Sequence, residues 1–260
     1  MRLMYVELHA RSAFSFLEGA SVPEELASVC HMLGMPSMAL LDRDGLYGAP
    51  RFYLCAEKVG IRAHIGAEVG CTQGWRYPLL VTSPEGYKNL CRLITRMKLR
   101  AKKGEGAIET NELESASGGL ICLTGGDEGP LAYTLRGGGK ESARKCLEQL
   151  CAIFGHNNVY VELQRHFFIE EERRNQVAVE LARDLRLPLL ATNGVCHALP
   201  AQREILDVFT CLRNHKVLAN AGRLLSCNSE RYLKSPVQMA ALFADLPDAI
   251  ANTTELASRL

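Results

Sequence analysis

Seven short apolar runs recur along the chain, and each breaks off in charged, small or turn-forming residues: Met4 to His9, Ser37 to Asp42, Ile61 to Val69, Pro78 to Thr82, Leu120 to Thr124, Val159 to Leu163 and Leu187 to Asn193. Helical stretches separate most of them. Pro23-Glu24-Glu25-Leu26 opens a helix that ends before Gly34, and Ala49 to Val59 forms a second that ends at Gly60. From Pro84 to about Arg100, Tyr87, Leu90, Cys91, Ile94 and Met97 keep a helical period, while Lys140 to Phe154 and Ile169 to Leu185 supply two more helices. A strand, a helix and a strand in about thirty residues is the βαβ rhythm. Repeated this often, it favours a closed or nearly closed α/β barrel over an open sheet, although periodicity by itself does not separate the two.

Lys102 to Ser117 reads as polar loop with some helix, and Gly137-Gly138-Gly139 as a turn between helices, since no Lys and Ser/Thr follow it as in a nucleotide loop. After Pro200 the pattern is helical, over Arg203 to Leu212, Ser235 to Ala244 and Pro247 to Leu260. The expected division is a barrel over 1–200 and a helical C-terminal extension over 201–260.

With 47% hydrophobic and 23% charged residues, the chain can bury a large core, which excludes disordered and fibrous classes. A net charge of +1 gives no global pull toward nucleic acid or anionic membrane. The ten cysteines mostly sit in apolar runs and include no CxxC pair, so they read as free thiols in a reducing compartment rather than as disulfides or zinc clips. No apolar run approaches the length of a membrane span, and Met1 to Glu7 reaches an acidic strand too early for a signal peptide. A cytoplasmic protein without membrane contact is the expectation.

In parallel α/β barrels the chemistry sits where the strands end. The polar residues at those ends are His9, Arg11, Glu18, Asp42, Arg43, Glu68, His166, Asn193 and Cys196, with Gly126 and Gly194 where side chains would otherwise stand. The stretches His9-Ala10-Arg11-Ser12-Ala13-Phe14-Ser15-Phe16-Leu17-Glu18-Gly19-Ala20-Ser21, Asp42-Arg43-Asp44-Gly45-Leu46-Tyr47-Gly48, Gly66-Ala67-Glu68, Tyr160-Val161-Glu162-Leu163-Gln164-Arg165-His166, Ala191-Thr192-Asn193 and Tyr232-Leu233-Lys234-Ser235-Pro236 succeed one another in this order. Together they resemble the PHP (polymerase and histidinol phosphatase) domain at the N-terminus of bacterial C-family DNA polymerases, most of all the error-prone DNA polymerase III alpha type. The resemblance runs over nearly the whole chain.

It implies a distorted, TIM-like (β/α)7 barrel. Relatives with an intact site hold up to three metal ions at the barrel mouth and hydrolyse phosphoesters, some polymerases as a 3′-5′ exonuclease. On that resemblance, His9, Glu18, Glu68 and His166 stand at ligand positions. The departures are Arg11 at the second His of His-x-His, Arg43 at the His of Thr-Asp-His, Gly194 and Cys196 at the Asp and His of a late motif, and Gly126 at a Cys or His. Placing His197 in the last seat instead would strand Val195.

One guanidinium ~4 Å from a divalent ion costs about 8 kcal/mol at an effective dielectric near 20. Arginine cannot escape that cost by losing its proton. The expectation is therefore a metal-free mouth filled by ion pairs, with Arg11 and Arg43 facing Glu18, Glu68 or Asp42, and no cofactor. The alternative is a single zinc or manganese ion on His9, Glu68 and His166, with phosphoesterase activity.

Arg92, Arg96, Lys98, Arg100, Lys102 and Lys103 form a basic run with no acid inside it, which reads either as a DNA contact or as a solvated helix face. The expected partners are the polymerase palm and remaining polymerase domains or proteins of a mutagenesis complex, with DNA as a further partner. A stand-alone binding module is the rival from another class. The polymerase's acidic triad is not in the chain, which is not expected to synthesise DNA by itself.

Overall fold

The computed structural model describes residues 4–102 and 104–260. Strands β1 (Glu7–Ala10), β2 (Ser37–Arg43), β3 (Arg62–Gly70), β4 (Arg76–Val81), β5 (Leu120–Leu123), β6 (Val159–Leu163) and β7 (Leu189–Ala191) make one sheet in chain order. Pairing is parallel except at β4, which runs antiparallel to both neighbours. Only residues 71–75 join β3 to β4, too few for the helical crossover that a parallel pair requires. The connection without a helix between these two strands is therefore a hairpin, and the parallel order breaks at this place.

The sheet curls until β1 and β7 face each other, but they share no ladder. Two backbone hydrogen bonds cross the seam, from Arg11 N–H to the Val195 carbonyl (2.9 Å) and from Val195 N–H to the His9 carbonyl (2.9 Å). The result is the distorted α/β barrel expected from the sequence.

Helices α1 (Pro23–Met32), α2 (Ala49–Val59), α3 (Pro84–Leu99), α4 (Thr110–Ala116), α5 (Pro130–Phe154) and α6 (Ile169–Leu185) accompany the strands. α1, α2, α3 and α5 open with proline, whose missing N–H costs nothing in a first turn. Gly60 ends α2 in the left-handed region (φ 77°), where a Cβ would be strained. Gly139 (φ 69°, ψ −167°) breaks α5 in two, as the glycine run predicts. The helices bury Leu26, Phe52, Leu90, Met97, Leu147 and Leu181 in a core shared with the outer face of the sheet.

The barrel interior holds a second core of Val6, Leu8, Ala39, Leu41, Leu80, Ile121, Leu123, Tyr160 and Leu190. After β7 come α7 (Arg203–Arg213), α8 (Pro236–Leu242) and α9 (Pro247–Ser258). Leu256 and Ala257 of α9 belong to the interior cluster. Thr253 accepts from Val6 N–H (3.2 Å), Asn252 donates to the Leu189 carbonyl (2.8 Å), and the Tyr160 hydroxyl donates to Glu255 (2.9 Å). The last helix of the extension is thus the floor of the barrel. No helix among the described residues is long and apolar enough to cross a membrane.

Candidate functional site

The mouth begins with an irregularity in β1. Glu7 pairs with Met38 and Ala10 with Leu40, so three residues of β1 span two of β2. A bulge of this kind reverses the facing of the residues beyond it. Leu8 belongs to the interior core and Ala10 to the outer one, and His9 reaches inward to Glu162 and Glu68. Without the extra residue, strict alternation would point His9 away from both.

Around His9 the top layer of the interior is charged. Its Nδ1 lies 2.7 Å from Glu162 Oε1, and its Nε2 contacts Glu68 Oε1. Burial opposes a charge on this ring, but Glu162 and Glu68 outweigh it and raise the pKa to about 10. Glu68 also accepts from Arg11 Nη2 (2.8 Å) and from Arg43 Nε (3.1 Å). Burial alone would raise this carboxyl, yet Arg11, His9 and Arg43 together hold it well below the usual range.

Arg43 continues to Glu18 and Glu128, and Arg213 closes on the other Glu18 oxygen at 2.9 Å. Burial and the neighbouring Arg11 push Arg43 down to about 10, so it remains charged at neutral pH. Asp42 takes neither arginine. It is occupied by Ser12 N–H (2.8 Å) and by the hydroxyls of Ser12 (2.9 Å) and Ser15 (2.8 Å).

The glycine positions are filled from the side. A Cβ on Gly194 would meet the Gln164 amide at 2.7 Å and Arg231 at 2.9 Å, and one on Gly126 would collide with the same amide. Gln164 donates to Glu162 (2.7 Å) and accepts from Arg231 (3.2 Å), which also donates to Asp127 (3.0 Å). Cys196 is buried and lines the mouth. His197 is not a mouth residue: its Nδ1 faces the Leu199 carbonyl at 2.9 Å.

Of the ligand positions read from sequence, His9 and Glu68 touch, and Glu18 joins them through Arg11 and Arg43. His166 does not join them. Its Nδ1 lies 2.7 Å from Glu171 and its Nε2 2.9 Å from the Asn193 carbonyl. Sequence reasoning missed the roles of Glu162, Gln164, Asp127, Glu128, Arg213 and Arg231. For Glu162 a signal existed, since it sits two residues after the interior Tyr160 in β6 and so shares its face.

Zinc or manganese does not fit this donor set. Both His9 ring nitrogens are already engaged by carboxylates, and Glu68 already faces His9, Arg11 and Arg43. Glu162 Oε2 is buried without a partner, but one free oxygen is not a ligand set. No group of three metal-ligating side chains forms among the described residues. What remains is a cavity of about 400 Å³ bordered by His9, Arg11, Glu68, Arg76, Gln164 and Arg231.

The basic run lies on α3 and just past it. Arg100 is held by Glu112 and the Ala107 carbonyl, and Arg92 lies 3.6 Å from Glu85, so two of the six cations have acidic partners that lie outside the run. Arg96, Lys98 and Lys102 form no ion pair among the described residues. Lys103 lies outside the described residues.

Relatives match the chain over nearly its full extent. It is 34% identical to the error-prone DNA polymerase of Mycobacterium bovis, over 98% of this chain and 24% of that protein. It is 32% identical to DNA polymerase III subunit alpha of Pseudomonas aeruginosa, over 100% of this chain and 23% of that one. The chain therefore spans about a quarter of the length of these relatives. Among solved structures, an amidohydrolase from Chromobacterium violaceum with bound sulfate and no metal has the same fold, with a TM-score of 0.52 and 14% identity over 74% of this chain and 88% of that one. Residues 7–166, more than half of the chain, match the PHP domain, and the chain belongs to the PHP-domain family.

Proposed function

We propose that this chain is the PHP barrel of an error-prone DNA polymerase III alpha-type protein, in which ion pairs have replaced the metal cluster and the domain serves as a structural platform rather than a phosphoesterase. The observation that carries this reading is the enclosure of Glu68, which the resemblance reads as a ligand position, by His9, Arg11 and Arg43. Three cations supply the positive charge that metal ions would bring, and the two arginines among them stay protonated at neutral pH. The chemistry left to the mouth is cohesion. It joins β1, β2, β3 and β6 at the end of the barrel where no apolar core reaches.

The whole protein's partners are inferred from its relatives. With about three quarters of each relative lying beyond the matched part, the barrel would work against a palm and other polymerase domains, in the cytoplasm and near DNA. We assign 1–200 to the barrel and 201–260 to the extension that leads toward those domains.

The test is metal analysis after dialysis against zinc or manganese, combined with hydrolysis of a chromogenic phosphodiester. The reading predicts less than one tightly bound ion per chain and no turnover above buffer. Stoichiometric metal with turnover abolished by His9→Ala would replace it with the phosphoesterase reading.

A further inference from the structure

The segment that roofs the mouth is amphipathic in the wrong sense for a lone barrel. α7 and the two short 3-10 turns after it, Leu218–Asn220 and Gly222–Leu224, bury little: Leu206, Phe209 and Leu225 are half-buried, and the inward contacts are largely polar. Arg213 grips Glu18, and Gln202, just before α7, accepts from the Ser21 hydroxyl (2.7 Å) and donates to Glu25 (2.7 Å). Cys211 and Ala221 are its buried apolar residues.

Several large aliphatic side chains face out. Ile205, Val208 and Leu212 succeed one another at helical spacing along α7, and Val217 and Leu218 extend the surface beyond it, while Leu224 and Leu225 border the mouth cavity. Leu212, Val217 and Leu218 are 57%, 62% and 53% exposed. By contrast, α3 buries Leu90, Leu93, Ile94 and Met97. Five exposed aliphatic residues on one short segment mark a surface that another body covers.

The charge around this surface selects the body. Across 205–224 the one acid is Asp207, which lies 3.3 Å from Arg203, whereas Arg213, Lys216 and Arg223 lie within the same stretch. Lys216 and Arg223 form no ion pair among the described residues. A second copy docking face to face would oppose these cations to themselves. Single-stranded nucleic acid would need aromatic platforms, and the exposed residues here are aliphatic.

We propose that the outer face of 205–224 is a docking surface for a polypeptide segment that carries an apolar stripe flanked by Asp and Glu. This surface is independent of whether the mouth binds metal, and metal analysis does not bear on it.

Two labelled synthetic helical peptides test it, sharing one leucine stripe and flanked by Glu in one case and by Lys in the other, with binding read by fluorescence anisotropy. The Glu peptide is expected to bind at least about tenfold more tightly, with an affinity that falls as salt rises. Leu212→Asp with Leu218→Asp should abolish binding, and Lys216→Glu with Arg223→Glu should reverse the preference. All four positions are exposed, so unchanged circular dichroism melts are expected to show that both variants fold. Equal affinity for the two peptides, or no saturable binding of the Glu peptide, overturns the proposal. So does a dimer in sedimentation, or binding to phosphatidylserine vesicles, that the same leucine substitutions remove.

Discussion

The floor and the mouth of this barrel are built from the same strands and held together by opposite physics. At the floor, Val6, Leu8, Ala39, Leu41 and Ile121 meet Leu256 and Ala257 of α9, and the cohesion is the removal of apolar surface from water. Two residues further along the same strands, Arg43 comes after Leu41 and Glu162 after Tyr160, and cohesion becomes a matter of matched charge. Apolar packing weakens gradually when a residue is trimmed. A buried ion network fails abruptly, because removing one member leaves its partners charged and dry.

The largest expected effect breaks that network at its centre. Glu68→Ala leaves His9, Arg11 and Arg43 without their shared carboxylate and should cost about 3–5 kcal/mol in urea denaturation. A loss below about 1 kcal/mol would mean that the arginines are solvated rather than paired. At the floor, Leu256→Ala should cost about 2–4 kcal/mol, the sum of lost burial and a cavity. Its cost should be the same at pH 6 and pH 9.5, since the floor cluster itself is apolar.

pH separates the two ends more finely. The folded pKa of His9 is about 10 against 6.5 for the free side chain, so its contribution is complete below about 6.5 and is lost as pH rises toward 10. Glu68 acts with the opposite sign, since its pKa is lowered: its share is present above 4.5 and fades as pH falls through the folded value. Glu7, pushed by burial to about 7 despite donors from Tyr5, His9 and Asn193, adds a loss of stability between 4.5 and 7. Thermal melts should therefore decline from pH 6.5 to 10, less steeply in His9→Gln, and a profile identical to wild type in that variant would remove His9 from the account. The smallest effect belongs to the surface: Arg92→Ala on α3 should change stability by less than about 0.5 kcal/mol.

The same division marks how far the sequence could be read. The strands and most helices were legible because each is a local pattern, and so was the meeting of Arg11 and Arg43 with Glu68 at the mouth, because each follows the end of a strand. The hairpin at β4 was hidden in a five-residue connection whose shortness carries the information. The inward turn of His9 depends on a bulge, which alternation cannot announce. His166 finds Glu171 rather than the cluster because its partner lies on the next helix, and Gln164 fills the space at Gly126 and Gly194 by a tertiary contact. The role of α9 as floor was unreadable for the same reason, since its apolar face has a helical period whether it packs on a helix or plugs a barrel.

The most direct measurement is anomalous diffraction from a crystal soaked in manganese. The account predicts no manganese peak within bonding distance of His9 Nε2 or Glu68, with Arg11 and Arg43 still hydrogen-bonded to that carboxylate. Two or more well-occupied ions there, with both guanidiniums swung into solvent, would contradict it.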